Sequence, residues 1–283
     1  MFLVDLLRPR VFVELGTHWG YSYCAFCQAV QELQLPTRCY AVDTWRGDPH
    51  AGTYGPEVLA DLRAHHDPLY GSFSRLIEST FDDALDGFGH ASIDLLHIDG
   101  LHTYEAVKHD FEAWSSKLSG RGVVAFHDIN ARRRGYGVWK LWEELATRYQ
   151  HFALHHAHGF GVVAIGPDQP NEFRTLLETP SAELQPLRDL FFVLGHRLRL
   201  ERQLDESREK RLALRQSLDA QKDVLERKLR VARGERDQVR AELEELQRRW
   251  PVRVWLSADA KRRSLVAAAR PRGEIERGEH SRD

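Results

Sequence analysis

The 283 residues suffice for one large α/β domain with an appendage, or for two small domains. Basic and acidic side chains nearly cancel, 40 against 42 for a net charge of −2, and 42% of residues are hydrophobic. That balance describes a globular chain and excludes a grossly basic nucleic-acid binder. No apolar run reaches the roughly 18–20 residues of a bilayer span. Met1–Arg10, short and interrupted by Asp5, does not read as a signal peptide. Three cysteines do not make a disulfide framework. The expectation is a cytoplasmic protein with no transmembrane segment and no nucleic-acid partner.

The first predicted strand, Val11–Leu15, runs into a glycine turn and a helix start over Gly16-Thr-His-Trp-Gly20-Tyr-Ser22. Gly16 lets the backbone approach a ligand with no Cβ in the way, and the helix start offers free N–H groups to an acidic group. The spacing lacks the middle glycine that admits a pyrophosphate. Glu14, near the strand end, is placed to meet a cationic ligand group. Asp43 closes the next strand, Arg38–Asp43, where a carboxylate accepts from ribose hydroxyls. Ribose contacts and a cationic partner, without pyrophosphate recognition, suit S-adenosylmethionine better than NAD. Gly16, Thr17, Gly20, Ser22, Glu14 and Asp43 are the expected cofactor residues. Cys24 and Cys27 fall inside the first helix and read as core cysteines rather than a redox pair. Trp45-Arg-Gly-Asp48 and the stretch to Pro56 read as a loop able to serve as a lid, with Trp45 stacking on adenine or substrate, or as ordinary loop packing.

After a third strand, Ser74–Glu78, a fourth over Ile93–Ile98 delivers Asp99 and His102. A helix over Tyr104–Lys117 leads to a fifth strand, Gly122–His127, which delivers His127 and Asp128. Ligands of open α/β sheets bind outside the carboxyl ends of the strands, so these groups converge beside the cofactor. Asp99, Asp128 and His127 suit a divalent ion, Mg²⁺ or Mn²⁺, although packing explains His127 equally well. His102, with an ordinary pKa of about 6.5, suits a general base. Arg132–Arg134 follows as a basic loop. After a helix over Gly137–Tyr149, strands Phe152–His155 and Gly161–Ile165 form a closing hairpin. His155 and His158 at its tip read as solvated, or as the rim of a substrate site. The expected fold is therefore α/β: a doubly wound, seven-stranded, mostly parallel sheet with one antiparallel strand.

The predicted domain ends at 168, and a linker covers 169–186. A long helix over 187–250 carries a heptad row from Leu190 through Leu204, Leu218 and Leu225 to Leu246, beside a row charged in its middle. At about 1.5 Å per residue it would reach on the order of 90 Å. It is expected to self-associate as a coiled coil, ended by Pro251, with 251–283 a basic, disordered tail.

Glu14-Leu-Gly16, Asp43-Thr-Trp45, His97-Ile-Asp-Gly-Leu-His-Thr-Tyr104 and Phe126-His-Asp128 together resemble the class I S-adenosylmethionine-dependent methyltransferases. Within them they are similar to metal-dependent sugar O-methyltransferases of the macrocin type and to methyltransferase domains found beside glycosyltransferases in polysaccharide synthesis. The resemblance covers about residues 11–166. It implies a metal site at Asp99 and Asp128, with His102 as base. It also implies a sugar or glycan acceptor, with a glycosyltransferase as a possible partner. Where macrocin-type enzymes carry an acidic residue this chain has His127, and most of the expected N-terminal helix is missing. Two other readings are an NAD-dependent oxidoreductase on a similar sheet and a non-catalytic scaffold of a polysaccharide-synthesis complex.

Overall fold

A computed structural model describes residues 1–50, 52–249 and 259–263. Seven strands form the main sheet: β1 (Val11–Leu15), β2 (Arg38–Asp43), β3 (Ser74–Glu78), β4 (Ile93–Ile98), β5 (Leu118–His127), β6 (His151–Leu154) and β7 (Phe160–Ala164). Their order is β3-β2-β1-β4-β5-β7-β6. The first five run parallel, and β7 lies antiparallel to both β5 and β6. The sheet is the one expected, with the β5 start moved forward to Leu118. There a register shift between Ile93 and Leu95 lets β5 begin pairing early.

The helices are α1 (Phe2–Leu7), α2 (Tyr21–Glu32), α3 (Glu57–Tyr70), the single turn α4 (Phe81–Ala84), α5 (Tyr104–Ser115), α6 (Val138–Ala146), α7 (Asn171–Glu178) and α8 (Gln185–Arg249). Alternation along the strands divides the core into two layers. Phe12, Leu95, Val123 and Ala125 pack with α1, α2 and α7, whereas Val13, Leu96, Val124 and Phe126 pack with α5 and α6. In α6 the buried Val138, Leu141, Trp142 and Leu145 recur at helical spacing and form one apolar stripe.

The chain divides into two units, Met1–Leu198 and Arg199–Asp283. Residues 169–186, expected as a linker, are partly helical. Phe173 of α7 is fully buried in the same core layer as α1, because its apolar face has a partner there. The first turns of α8 belong to this unit too: Phe191 packs on Phe2 with centroids 5.2 Å apart, and Arg188 donates to the Ala153 carbonyl. In the second unit α8 runs to Arg249 with Leu204, Leu218, Leu225 and Leu246 all about half exposed or more. Ion pairs such as Arg202–Glu206 and Arg249–Glu245, each 2.9 Å, line its surface. Pro251 and most of the 251–283 tail lie outside the described residues. Among the described residues no helix is long and apolar enough to cross a membrane.

Cys27 and Cys39 are buried and Cys24 half-buried; burial pushes the Cys24 thiol up to about 11, far from a reactive thiolate. A buried carboxylic acid sits on α5. Burial pushes the Asp110 carboxyl up to about 7, and Asp82 adds to the shift. The folded protein thus holds a proton that the unfolded chain has released. The stability this contributes is full below about pH 4 and is lost as pH rises towards 7. Asp110→Asn should flatten that decline, leaving the variant more stable than wild type at pH 8 in thermal unfolding. Identical pH dependence of the two melting curves would refute it.

Candidate active site

The carboxyl ends of β1, β2, β4 and β5 open on a cleft of about 490 Å³. Its floor is set by Gly16, at φ 87°, where a Cβ would lie 2.3 Å from the Asp99 carbonyl oxygen. No side chain fits, so the loops after β1 and β4 run backbone to backbone. Gly20 owes its identity to a left-handed backbone at φ 77°, where it caps α2; a Cβ there would also meet the tip of Leu62 of α3 at 2.4 Å. It does not line the cleft, whereas Gly16, Thr17, Ser22 and Asp43 do.

Asp43 has a structural task besides the one its position suggests. Its Oδ2 accepts from the Thr17 and His18 amides at 2.8 and 2.9 Å, and its Oδ1 from the Trp45 amide at 2.7 Å. The carboxylate therefore ties the loop after β1 to the loop after β2. The Trp45 indole donates to the His18 carbonyl, and the Tyr54 ring stacks on His18 at 4.7 Å. Trp45 itself is buried against Val58, Leu59 and Leu62, so it packs the loop rather than facing a ligand. The Thr17 hydroxyl is buried with no partner.

Glu14 lies beneath the cleft and not in its wall. It pairs in register with His97 across β1 and β4, and its Oε2 is 2.8 Å from His97 Nδ1, with both residues buried. Burial raises the Glu14 carboxyl above its ordinary value, and His97 offsets this in part. The register thus engages Oε2 with His97, and Oε1 stays buried without a hydrogen-bond partner.

Above that pair, two carboxylates and three imidazoles converge. His102 Nε2 is 3.4 Å from Asp99 Oδ1 and 3.2 Å from Asp128 Oδ2. His127 Nδ1 is 3.4 Å from Asp99 Oδ1 and 3.2 Å from Asp128 Oδ1. His158 Nδ1, from the hairpin tip, is also 3.2 Å from Asp128 Oδ1. Burial would raise the Asp99 carboxyl, but the hydrogen bonds from His102 and His127 outweigh it and hold Asp99 well below the usual carboxylate range. Burial would lower His127, yet Asp99 and Asp128 raise it. Asp128 adopts φ 61°, a left-handed conformation that Asp tolerates better than most residues. Its Oδ1 is buried without a hydrogen bond of good geometry. Ligand atoms of Asp99, His102 and His127 lie within 4.8 Å of one another, close enough to share an ion.

Gly47, Asp48 and Tyr54, from the loop after β2, line one side of the cleft. Gly47–Asp48 pairs with Gly52–Thr53 as a minimal hairpin. His50 then reaches the cluster, where the Tyr136 ring stacks on both imidazoles, 4.9 Å from His102 and 4.7 Å from His50. His50, Tyr136 and the role of His158 were missed by sequence reasoning. The signals were two histidine-bearing loops, those of His50 and His158, and the basic loop before Tyr136, and nothing in their spacing says that they meet.

Residues 13–129 match a family model described as a methyltransferase domain. Over 168 residues the chain is 51% identical to an uncharacterized protein, y4gI, of Sinorhizobium fredii. That match covers 59% of this chain and 18% of the relative, so the chain spans under a fifth of the relative's length. Solved structures similar to it include SAH-bound methyltransferase PaMTH1 of Podospora anserina, at 17% identity and TM-score 0.44, covering 58% of this chain and 74% of that one. O-methyltransferase TomG of Streptomyces achromogenes, in complex with SAM, is 16% identical with TM-score 0.44, covering 58% and 77%. An O-methyltransferase of Bacillus cereus in complex with SAH is 15% identical with TM-score 0.43, covering 58% and 77%.

Removing the Asp43 carboxylate leaves three amide donors without their acceptor. Asp43→Ala should lower unfolding stability by about 3 kcal/mol in urea titrations, since each buried, unpaired donor costs roughly 1–3 kcal/mol and water repays part of it. Wild-type stability in that variant would mean that the loops hold themselves.

Proposed function

We propose that the methyltransferase domain matched over residues 13–129 is of class I and transfers the methyl group of S-adenosylmethionine to a sugar hydroxyl, in a bacterial surface glycan or a glycosylated metabolite. One observation carries this reading: a single cleft joins the glycine loop at Gly16 to the carboxylate–imidazole cluster at Asp99, His102, His127 and Asp128. The residues fit the cofactor. Gly16 leaves room for close approach, and the unpartnered Thr17 hydroxyl supplies a hydrogen-bonding group. Asp43 has about four lone-pair sites on its two oxygens and uses three on amides, leaving one for a ribose hydroxyl. Bound there, S-adenosylmethionine supplies an electrophilic methyl group.

Asp99, Asp128 and His127 would hold a divalent ion of the Mg²⁺ or Mn²⁺ kind. The donor set fits, since Asp128 Oδ1 is buried with an unsatisfied lone pair and the Asp99 carboxyl is kept ionised. Such an ion would lend positive charge to the acceptor oxygen and favour its deprotonation. His102 takes the proton. Its Nε2 faces carboxylates that only accept, so Nε2 bears the hydrogen and the unpaired Nδ1 is the basic atom. Asp99 and Asp128 then stabilise the imidazolium, while the cleft walls hold donor and acceptor in line.

Calorimetry should detect S-adenosylmethionine binding and none of NAD; the reverse would replace this reading with an oxidoreductase. With labelled S-adenosylmethionine and a panel of glycan acceptors, Asp99→Asn and Asp128→Asn should lose divalent-ion dependence. His102→Ala should instead slow transfer by roughly 10²–10⁴ and recover as pH rises. Full activity of all three variants would show the cluster to be structural.

The exposed heptad leucines of α8 support self-association, and the same surface would serve a glycosyltransferase partner. The full chain should sediment as an oligomer, and Leu218→Lys with Leu225→Lys should dissociate it. A wild-type monomer at high concentration would remove the coiled coil and leave the enzymatic reading standing.

A further inference from the structure

We propose that Arg133, with Arg134 beside it, forms an anion site at the mouth of the cleft, and that the sugar to be methylated carries a phosphate or carboxylate near its acceptor hydroxyl. This names the substrate class for the reading above and rests on it. Among the described residues no lysine or arginine lines the cleft, whereas Asp43, Asp48, Asp99 and Asp128 do. Permanent positive charge stands just outside. Between Asp128 and Glu143 the chain carries Arg132, Arg133, Arg134 and Lys140 and no acid, within a chain whose net charge is −2.

The loop that bears the arginines is fastened at both ends to the cluster. At its start the Ala131 amide donates to the Asp128 carbonyl at 3.0 Å, and the Asn130 amide to the His158 carbonyl at 2.7 Å. At its end the Gly137 amide donates to the His102 carbonyl at 2.7 Å, and the Tyr136 ring stacks on His102. Between these anchors the Tyr136 amide donates to the Arg133 carbonyl at 3.1 Å, closing a turn in which Gly135 takes φ 87°. Arg133 and Arg134 are exposed on that turn.

The three arginines differ in what occupies them. Arg132 is engaged on its own surface: it pairs with Glu143 at 2.8 Å and lies over the Trp139 ring, 4.2 Å from its centroid. Arg133 Nη2 donates to His158 Nε2 at 2.9 Å, which leaves most of its N–H fork free and no carboxylate against it. Arg134 likewise has no ion-pair partner among the described residues. The contact with His158 also fixes where Arg133 stands. His158 Nδ1, on the far side of the ring, is 3.2 Å from Asp128 Oδ1, so the guanidinium is one imidazole away from the cluster. An anion on the methylated sugar, or on the unit next to it, spans that gap. An oxyanion there accepts parallel N–H bonds from the fork and relieves the repulsion between adjacent guanidinium groups. The acids of the cleft do not oppose it freely, since Asp43 is engaged by three amides and Asp99 and Asp128 face imidazoles.

Arginine ¹⁵Nε spectra of the full chain, treated with chelator and then dialysed, test the site with inorganic phosphate, glucose-6-phosphate, glucuronate and uncharged glucose. The Arg133 signal, identified by its loss in Arg133→Gln, should move with an anion and stay with glucose. The anion that moves it at the lower concentration decides between phosphate and carboxylate. In calorimetry Arg133→Gln should weaken that anion by about tenfold, Arg133→Lys by less, and added salt should weaken wild type. A shift no larger than that of free arginine in the same solution would mark an adventitious ion only and overturn the proposal, as would unchanged affinity in Arg133→Gln. Both variants should bind S-adenosylmethionine as wild type does. A wild type that binds the anion at Arg133 but no S-adenosylmethionine would keep the anion site and remove the methyltransferase reading.

Discussion

The site depends on a place where no side chain fits. Gly16 lies against the Asp99 carbonyl so closely that any Cβ would overlap it, and the Asp99 amide in turn donates to the Leu15 carbonyl. This contact brings the end of β1 to the end of β4 at backbone distance. A loop that can receive a cofactor and a loop that carries carboxylate and imidazole groups therefore share one cleft. Adjacent parallel strands end at the same edge of a sheet, and the glycine turns that topological rule into contact.

Loops at such an edge carry amide groups that must find acceptors, and Asp43 meets that need for three of them. Two of the residues involved, His18 and Trp45, sit at positive φ, which is uncommon for side chains of their size. The strain of those conformations is held by the carboxylate and by the burial of Trp45. What looks from sequence like a ligand-binding acid is also the residue that gives the cleft its walls.

Charge is arranged in two tiers. The lower tier is the buried Glu14–His97 pair, the upper one the cluster of Asp99 and Asp128 with His102, His127 and His158. The tiers sense each other: Asp99 contributes to raising Glu14, and Glu14 contributes to raising His127. Two carboxylates that share imidazole partners need compensating charge; they raise His127 accordingly, and a divalent ion would supply it more strongly.

Much of this was legible in the residues. The alternation of apolar runs with amphipathic stretches determined the seven strands, the closing hairpin and the long helix, because periods of 2 and 3.6 specify which faces are buried. The positions of Gly16, Asp43, Asp99, His102, His127 and Asp128 at strand ends determined that they would share an edge. Tertiary structure alone decided their partners. Glu14 pairs with His97 because β1 and β4 are neighbours in one register, and strand order is not written in either strand. Phe173 turns a supposed linker into core, and His50, Tyr136 and His158 arrive from separate loops. Local periodicity is set by the covalent chain, whereas contacts between loops follow from how distant backbones pack, and no spacing within one segment encodes that distance.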